Sequence, residues 1–154
     1  MCIRDRPWNL QNTLTDNRRS MSLATLAPLA AADGDVLFYS LQIGAPQAEA
    51  ANPPSGLHLV DHTDKIRDFD DTTGLVALLD LVIAVDTSTA HIAAALGRPV
   101  WLLSRYDQCW RWLPGRTDTP WYSTMRVYTQ PAPFDWATPV EEIAANLADL
   151  IKAS

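Results

Sequence analysis

The stretch VIAVDTSTAHIAAALGRPVWLL, residues 82–103, joins two apolar runs through a polar turn and an alanine-rich segment. Residues 81–85 form an unbroken run of strand-forming side chains, which is typical of a strand buried on both faces of a parallel sheet. Residues 100–103 form a second such run, and the segment 87–96 between the two runs is expected to be a helix. The stretch therefore predicts a strand, a helix and a parallel strand in sequence.

Residue types at both ends of the predicted helix support its boundaries. Asp86 or Thr87 is expected to cap its start, because short oxygen-bearing side chains accept hydrogen bonds from the first backbone N–H groups of a helix. Gly97 suits the position just after the helix, where a left-handed backbone is common, and Pro99 prevents the helix from continuing. The polar turn is thus expected to lie at the carboxyl end of a buried strand.

The rest of the chain repeats this alternation. Further strands are expected at 36–41, 57–60 and 126–129, and further helices at 22–31, 72–79 and 139–152. The last helix would place Pro139 at its first position after Thr138. Two segments do not fit: 45–56 is expected to be a loop with one helical turn, and 106–122 a long aromatic connection. The pattern predicts an α/β fold, a Rossmann-like parallel sheet with helices on both faces.

Composition excludes several classes of protein. The chain has 154 residues, 47% of them apolar, and a formal net charge of -6, which argues against a nucleic-acid or anionic membrane surface. Cys2 and Cys109 show neither metal-ligand spacing nor a disulfide framework, so a reducing cytoplasm is the expected location. The longest apolar run, 75–85, is interrupted by Asp80 and is too short to span a bilayer. No signal peptide is recognisable at the first residues.

The polar turn is a candidate phosphate site. In open α/β sheets, ligands bind outside the carboxyl ends of the strands, and a helix start there offers free N–H groups and a positive dipole end. Thr87, Ser88 and Thr89 add hydroxyl groups, and His91 lies one turn further on the same side of the helix. Two structural alternatives stay open: Asp86 as a helix cap only, and His91 as a core histidine. No GxGxxG or GxxxxGK[ST] motif supports a nicotinamide or P-loop enzyme.

Four ordered motifs carry a resemblance to a known family. They are DNRRSMSLATLAPL at 16–29, FYSLQIG at 38–44, DLVIAVDTSTAHIAAALGRPVWLL at 80–103 and WRWLPGRTDTPWYSTMRVYTQ at 110–130. Together they resemble the C-terminal domain of bacterial heptosyltransferase-like glycosyltransferases, glycosyltransferase family nine, and most closely the branch that follows tetratricopeptide repeats. The resemblance covers residues 8–154.

The resemblance implies the C-terminal half of a GT-B fold, which holds a nucleotide-sugar donor. The family's Asp-Thr-x-x-x-His pattern falls on Asp86, Thr87 and His91, and implies contacts with the donor diphosphate and nearby sugar hydroxyls. The family's basic position falls on Arg18 or Arg19, which would neutralise phosphate charge, and Gln42 would lie near the same cleft. Without the resemblance, the arginines would be interpreted as a solvated pair before a helix, and the glutamine as an ordinary polar residue at a strand end.

The resemblance also implies an inverting transferase whose other half is absent. The family's acceptor domain and its proposed catalytic carboxylate precede the donor domain, so residues 1–154 are expected to be a single donor-binding domain without a catalytic base. Residues 1–7 do not resemble the family's first strand and are interpreted as a foreign or truncated start. The chain alone is expected to be inactive, with no metal or cofactor and with a nucleotide-diphosphate sugar as ligand. The expected protein partners are an N-terminal domain or tetratricopeptide repeats.

Alternatives to hexosyl or heptosyl transfer remain at this stage. One is a non-catalytic module that binds a nucleotide or a partner domain. Another is a different GT-B enzyme, such as a sugar epimerase or a protein O-glycosyltransferase, because fold analogy does not separate these activities.

The aromatic connection also has two interpretations. Its main aromatic residues, Trp110, Trp112, Trp121 and Tyr122, are expected to form a hydrophobic lid over the sheet edge rather than to stack directly on a ligand. Residues 105–107, which follow the fourth predicted strand, are expected at the same edge of the sheet, lining a cleft between domains.

Overall fold

The structure is a computed structural model that describes residues 18–32 and 36–153. The interpretation of residues 1–7, and of any strand before Arg18, lies outside these residues. Arg18 and Arg19 are helical, and each predicted strand from residue 36 onward is found.

Within the described ranges, the five named strands pair with one another in parallel. β1 (Phe38–Tyr39) pairs with β2 (Leu59–Val60), and a second sheet has the order β3 (Val82–Val85), β4 (Val100–Ser104), β5 (Met125–Thr129). Parallel neighbours require crossover connections, and helical segments supply most of them. The observed strands are shorter than predicted at β1 and β2 because only two residues of each run pair with the other strand.

Besides the helical residues Arg18 and Arg19, three α-helices and four 3₁₀ helices complete the described part of the fold. The α-helices are α1 (Phe69–Val76), α2 (Ser88–Ala95) and α3 (Ala137–Lys152); the 3₁₀ helices are Leu23–Ala31, Ala45–Ala51, Thr63–Lys65 and Trp110–Trp112.

The sheet β3-β4-β5 is buried on both faces. Side chains of successive strand residues point to opposite faces, and Val82 and Ala84 join a core formed with α2 and Trp112. Ile83 and Val85 join a second core, formed with α3 and the first 3₁₀ helix. The described fold is therefore α/β, with parallel sheets flanked by helices in a Rossmann-like arrangement, as the sequence predicts.

Three predicted helices differ from the observed ones. The segment 22–31 is a 3₁₀ helix, because Pro28 lacks an N–H group and its ring crowds the preceding turn of an α-helix. The helix predicted at 72–79 is α1, which begins at Phe69 because Asp68 caps it. The helix predicted at 139–152 begins at Ala137, where Pro139 is still acceptable because first-turn N–H groups have no intrahelical partner.

Two further structural features are absent from residues 18–32 and 36–153. No helix there has both the length and the apolar character needed to cross a membrane. No group of three or more His, Cys, Asp or Glu side chains there is arranged to hold a metal ion.

Candidate functional site

The candidate site is built around Thr87, which immediately precedes α2 at the carboxyl end of β3. Its backbone is extended, with φ -136° and ψ 170°, and its carbonyl accepts from the N–H of Ala90 at 3.2 Å. Its side chain makes no capping hydrogen bond, and the residue is only 3% exposed. The hydroxyl oxygen is buried without any hydrogen-bond partner. The helix start is thus formed by the backbone alone, and the hydroxyl of Thr87 makes no hydrogen bond.

Asp86, the residue before, is held in a cationic and aromatic environment. One carboxylate oxygen lies 3.7 Å from Nε2 of His91, and the other lies 3.9 Å from the guanidinium of Arg111. Burial by itself raises the pKa of this carboxyl group, but His91, the indole N–H of Trp112 and the charge of Arg111 together outweigh it. The pKa of Asp86 is therefore lowered below its ordinary value, and the group is an anion at neutral pH.

His91 is fixed from both sides of its ring. Its Nδ1 lies 3.1 Å from the hydroxyl of Tyr122, and its Nε2 faces Asp86. The ring stacks on Trp112, with centroids 5.4 Å apart, and meets Tyr122 edge-on. The imidazole side chain is 33% exposed, so it is partly accessible at the surface of this aromatic group. His91 is therefore not an ordinary buried core residue.

The two predicted arginines lie in different surroundings. Arg19 donates to the backbone carbonyl of Asp86 at 2.7 Å, which brings its guanidinium to the carboxyl end of β3. Arg18 instead forms an ion pair with Asp107 at 2.9 Å, and both side chains are about half exposed. Of the pair, Arg19 is therefore the one that reaches the polar turn.

The remaining predicted site residues are partly or fully enclosed. Thr89 is buried inside the first turn of α2, and Ser88 is half-buried. Gln42 is buried after β1, and its amide donates to the carbonyl of Ile43 at 2.9 Å. The role of all three in ligand contact stays a prediction.

Sequence analysis missed Arg111 and the role of Tyr122 as partner of His91. Both residues lie in the aromatic connection 106–122. Nothing in the local sequence indicates that this connection folds back on residue 86. The same connection divides in the structure: Trp112 is fully buried in the core beneath the turn, as expected for a lid, whereas Trp110 and Trp121 are 69% and 58% exposed. The Nε1 of Trp121 donates to the carbonyl of Arg111, which holds this segment in shape.

The arrangement favours an anionic ligand with hydrogen-bond acceptors. A helix start supplies free backbone N–H groups and a partial positive charge. The unused hydroxyl of Thr87 and the guanidinium groups of Arg19 and Arg111 lie at or next to this helix start. The negative charge of Asp86 faces His91 and Arg111, so its clearest structural role is to position these two side chains.

Part of the chain is similar to known proteins. Residues 67–114, which contain α1, β3, the polar turn, α2 and β4, match the family described as Glycosyltransferase family 9 (heptosyltransferase). Over 118 residues the chain is 30% identical to Protein FlbA of Caulobacter vibrioides, an alignment that covers 74% of this chain. The chain spans 20% of the length of that relative. No solved structure matches the chain. The segment that carries the candidate site is thus similar to a family of glycosyltransferases.

Proposed function

We propose that this chain is the donor-binding C-terminal half of an inverting GT-B glycosyltransferase. In this proposal the start of α2 receives the diphosphate of a nucleotide sugar. Two findings support it: the family match covers the polar turn, and the turn lies at the carboxyl edge of a parallel sheet, where α/β folds bind their ligands.

The observation that carries the proposal is the buried hydroxyl of Thr87. A buried polar group without a partner costs about 1–3 kcal/mol, so native structures rarely keep one without a reason. A phosphate oxygen at this helix start would accept a hydrogen bond from the hydroxyl and from the first free N–H groups. The cost would then be recovered on ligand binding.

The neighbouring side chains would act on the leaving group. In glycosyl transfer the diphosphate gains negative charge as the bond to the sugar breaks. Fixed N–H dipoles and the cations of Arg19 and Arg111 would stabilise that charge without rearrangement. His91, held by Asp86 and Tyr122, would add a donor at the edge of the site. No residue of this chain is proposed as the catalytic base, and no metal is needed for this step.

We further propose that the enzyme transfers a hexosyl or heptosyl group, that its partner is a tetratricopeptide-repeat or N-terminal domain, and that it is located in the cytoplasm. We expect the 154-residue chain to bind a nucleoside diphosphate and to transfer no sugar by itself, since the resemblance assigns the base to another domain.

Isothermal titration with ADP, GDP and UDP tests the proposal on the wild-type chain and on Thr87→Val. Valine keeps the shape of threonine and removes only the hydroxyl. Losing a hydrogen bond to a charged ligand should weaken binding by roughly tenfold or more. Thr72→Val is the matched control: Thr72 is equally buried near the start of α1, but its hydroxyl donates to the carbonyl of Asp68 at 3.0 Å.

The control should leave nucleotide affinity unchanged. Equal affinities for wild type and Thr87→Val would contradict the proposed role of this hydroxyl. If none of the three nucleotides binds the wild-type chain, the donor-binding function itself is wrong.

A further inference from the structure

A cavity lies at the carboxyl ends of β4 and β5. Its volume is about 340 Å³, within the range for ligand pockets, so it has room for at least one six-membered ring. The residues that line it come from three parts of the chain: Arg18, Tyr106, Asp107, Gln130, Pro133 and Phe134. We refer to it as the Gln130 cleft.

Gln130 gives the cleft an oriented hydrogen-bond donor. The residue is 2% exposed, and its Oε1 accepts from the backbone N–H of Tyr106 at 3.0 Å. That bond fixes which end of the amide carries oxygen, because a backbone N–H needs an acceptor. The Nε2 at the other end is buried and has no hydrogen-bond partner. An acceptor oxygen entering the cleft beside Gln130 would complete its hydrogen bonding.

Aromatic side chains flank this donor. Tyr106 and Phe134 are 55% and 67% exposed, although aromatic side chains usually bury most of their surface. Phe134 also has φ +66°, a left-handed backbone that a bulky residue rarely adopts and that glycine adopts readily. A strained and exposed aromatic residue at the wall of a cleft is a feature that clusters at ligand sites.

Charged groups of both signs complete the lining. Asp107 lies 2.9 Å from the guanidinium of Arg18 and 3.4 Å from Nε of Arg105. The carboxylate accepts hydrogen bonds, whereas Arg18 and the Nε2 of Gln130 donate them. A ligand that matches this cleft therefore has an apolar face for the aromatic rings and both donors and acceptors around its edge.

We propose that the Gln130 cleft binds one pyranose ring. A sugar ring presents C–H groups, which pack on the negative face of an aromatic ring, and hydroxyl groups that both donate and accept. A simple anion could pair with Arg18 but has no apolar face for Tyr106 and Phe134. An apolar ligand would leave Arg18, Asp107 and Gln130 without the hydrogen bonds that water makes to them.

This inference deepens the proposed function, and the role of the cleft in transfer rests on that function. The ring has two possible sources, which are the sugar of the donor and a sugar of the acceptor. The cleft lies at the same edge of the sheet as the start of α2, since both follow the carboxyl ends of parallel strands.

Saturation-transfer NMR on the 154-residue chain tests the proposal. The probes are methyl α-glucopyranoside, methyl α-mannopyranoside and methyl N-acetyl-β-glucosaminide, together with ADP-, GDP- and UDP-glucose and the free nucleoside diphosphates. Phe134→Gly removes the ring and relieves the left-handed backbone, so the chain should remain folded. Phe69→Ala is the control, because Phe69 is 65% exposed and lies outside the cleft.

We expect Phe134→Gly to weaken sugar binding by about fivefold or more, as for the loss of an aromatic contact, and Phe69→Ala to leave it unchanged. If Phe134→Gly weakens binding of the glycosides alone, the bound ring belongs to the acceptor. If it weakens binding of the sugar nucleotides alone, the ring belongs to the donor. If Phe134→Gly changes neither, or if both variants weaken binding equally, the proposal is overturned. Glycoside binding without nucleotide binding would keep this inference and reject the proposed donor function.

Discussion

The helices α1 and α2 begin in different ways, and the contrast separates structure from function. At α1 the carboxylate of Asp68 accepts from the N–H of Asp71 at 3.0 Å, and the hydroxyl of Thr72 donates back to the carbonyl of Asp68. At α2 the hydroxyl of Thr87 contacts no acceptor, and the carboxylate of Asp86 faces His91 and Arg111. The start of α1 is capped by its own side chains, whereas the hydroxyl of Thr87 at the start of α2 makes no hydrogen bond.

The difference shows that a helix start rich in Asp and Thr does not by itself indicate a ligand site. Both starts carry these residue types, but only at α2 does the carboxylate face side chains from elsewhere in the fold while a buried hydroxyl is left without a partner. Substitutions at the two helix starts test this contrast, from the largest expected effect on stability to the smallest.

Replacing the two aspartates by asparagine should give unequal losses. Asp86→Asn removes the negative charge that faces Arg111 and His91, and we expect it to lower the free energy of unfolding by about 2 kcal/mol. Asp68→Asn should cost only a few tenths, at most about 0.5 kcal/mol, since asparagine caps a helix almost as well as aspartate. Urea unfolding followed by circular dichroism measures both, and equal losses would mean that Asp86 is an ordinary cap.

Lowering the pH should remove part of the contribution that Asp86 makes to folding stability. Because its pKa is lowered in the folded chain, the ionised carboxylate stabilises folding above its ordinary pKa of about 3.9, and this stability is lost as the pH falls through the lowered value. The stability difference between wild type and Asp86→Asn should therefore shrink as the pH falls from about 5 to about 2. A difference that stays constant over this range would show that the charge contributes nothing.

The two threonine variants should differ in their effect on stability. Thr72→Val deletes a satisfied hydrogen bond and should lower the free energy of unfolding by about 1 kcal/mol. Thr87→Val removes a buried group that has no partner, so stability should stay the same or rise slightly. Thermal unfolding without nucleotide measures both changes. A loss at Thr87 as large as that at Thr72 would indicate that its hydroxyl has a structural partner in the folded chain.

The order of elements could be predicted well from the sequence. The strand that ends at Val85, the helix at Ser88–Ala95 and the strand that begins at Val100 lie within one residue of their predicted positions. Gly97 has φ +73°, the left-handed backbone expected just after a helix. These features depend on residues close together in the chain, and local propensities therefore decide them.

Helix type and start were less predictable where several signals competed. Residues 22–31 have a helical composition, but Pro28 changes the hydrogen-bonding pattern and the segment is a 3₁₀ helix. Asp70 and Asp71 suggest the start of α1, whereas Asp68 is the residue whose side chain caps it. A pattern of acidic residues fixes such a start only to within a few positions, because each of them is a good cap.

The sequence by itself determined the parallel α/β layers and the placement of a polar turn at the end of a buried strand. Hydrophobic periodicity and capping depend on residues close together in the chain, so both can be recognised in the sequence. Only the tertiary structure decided what surrounds that turn: Tyr122 reaches His91 across 31 positions, and Arg19 reaches the carbonyl of Asp86 across 67. Such contacts depend on how the layers pack, because one side chain can meet many distant partners and only the packed core selects among them.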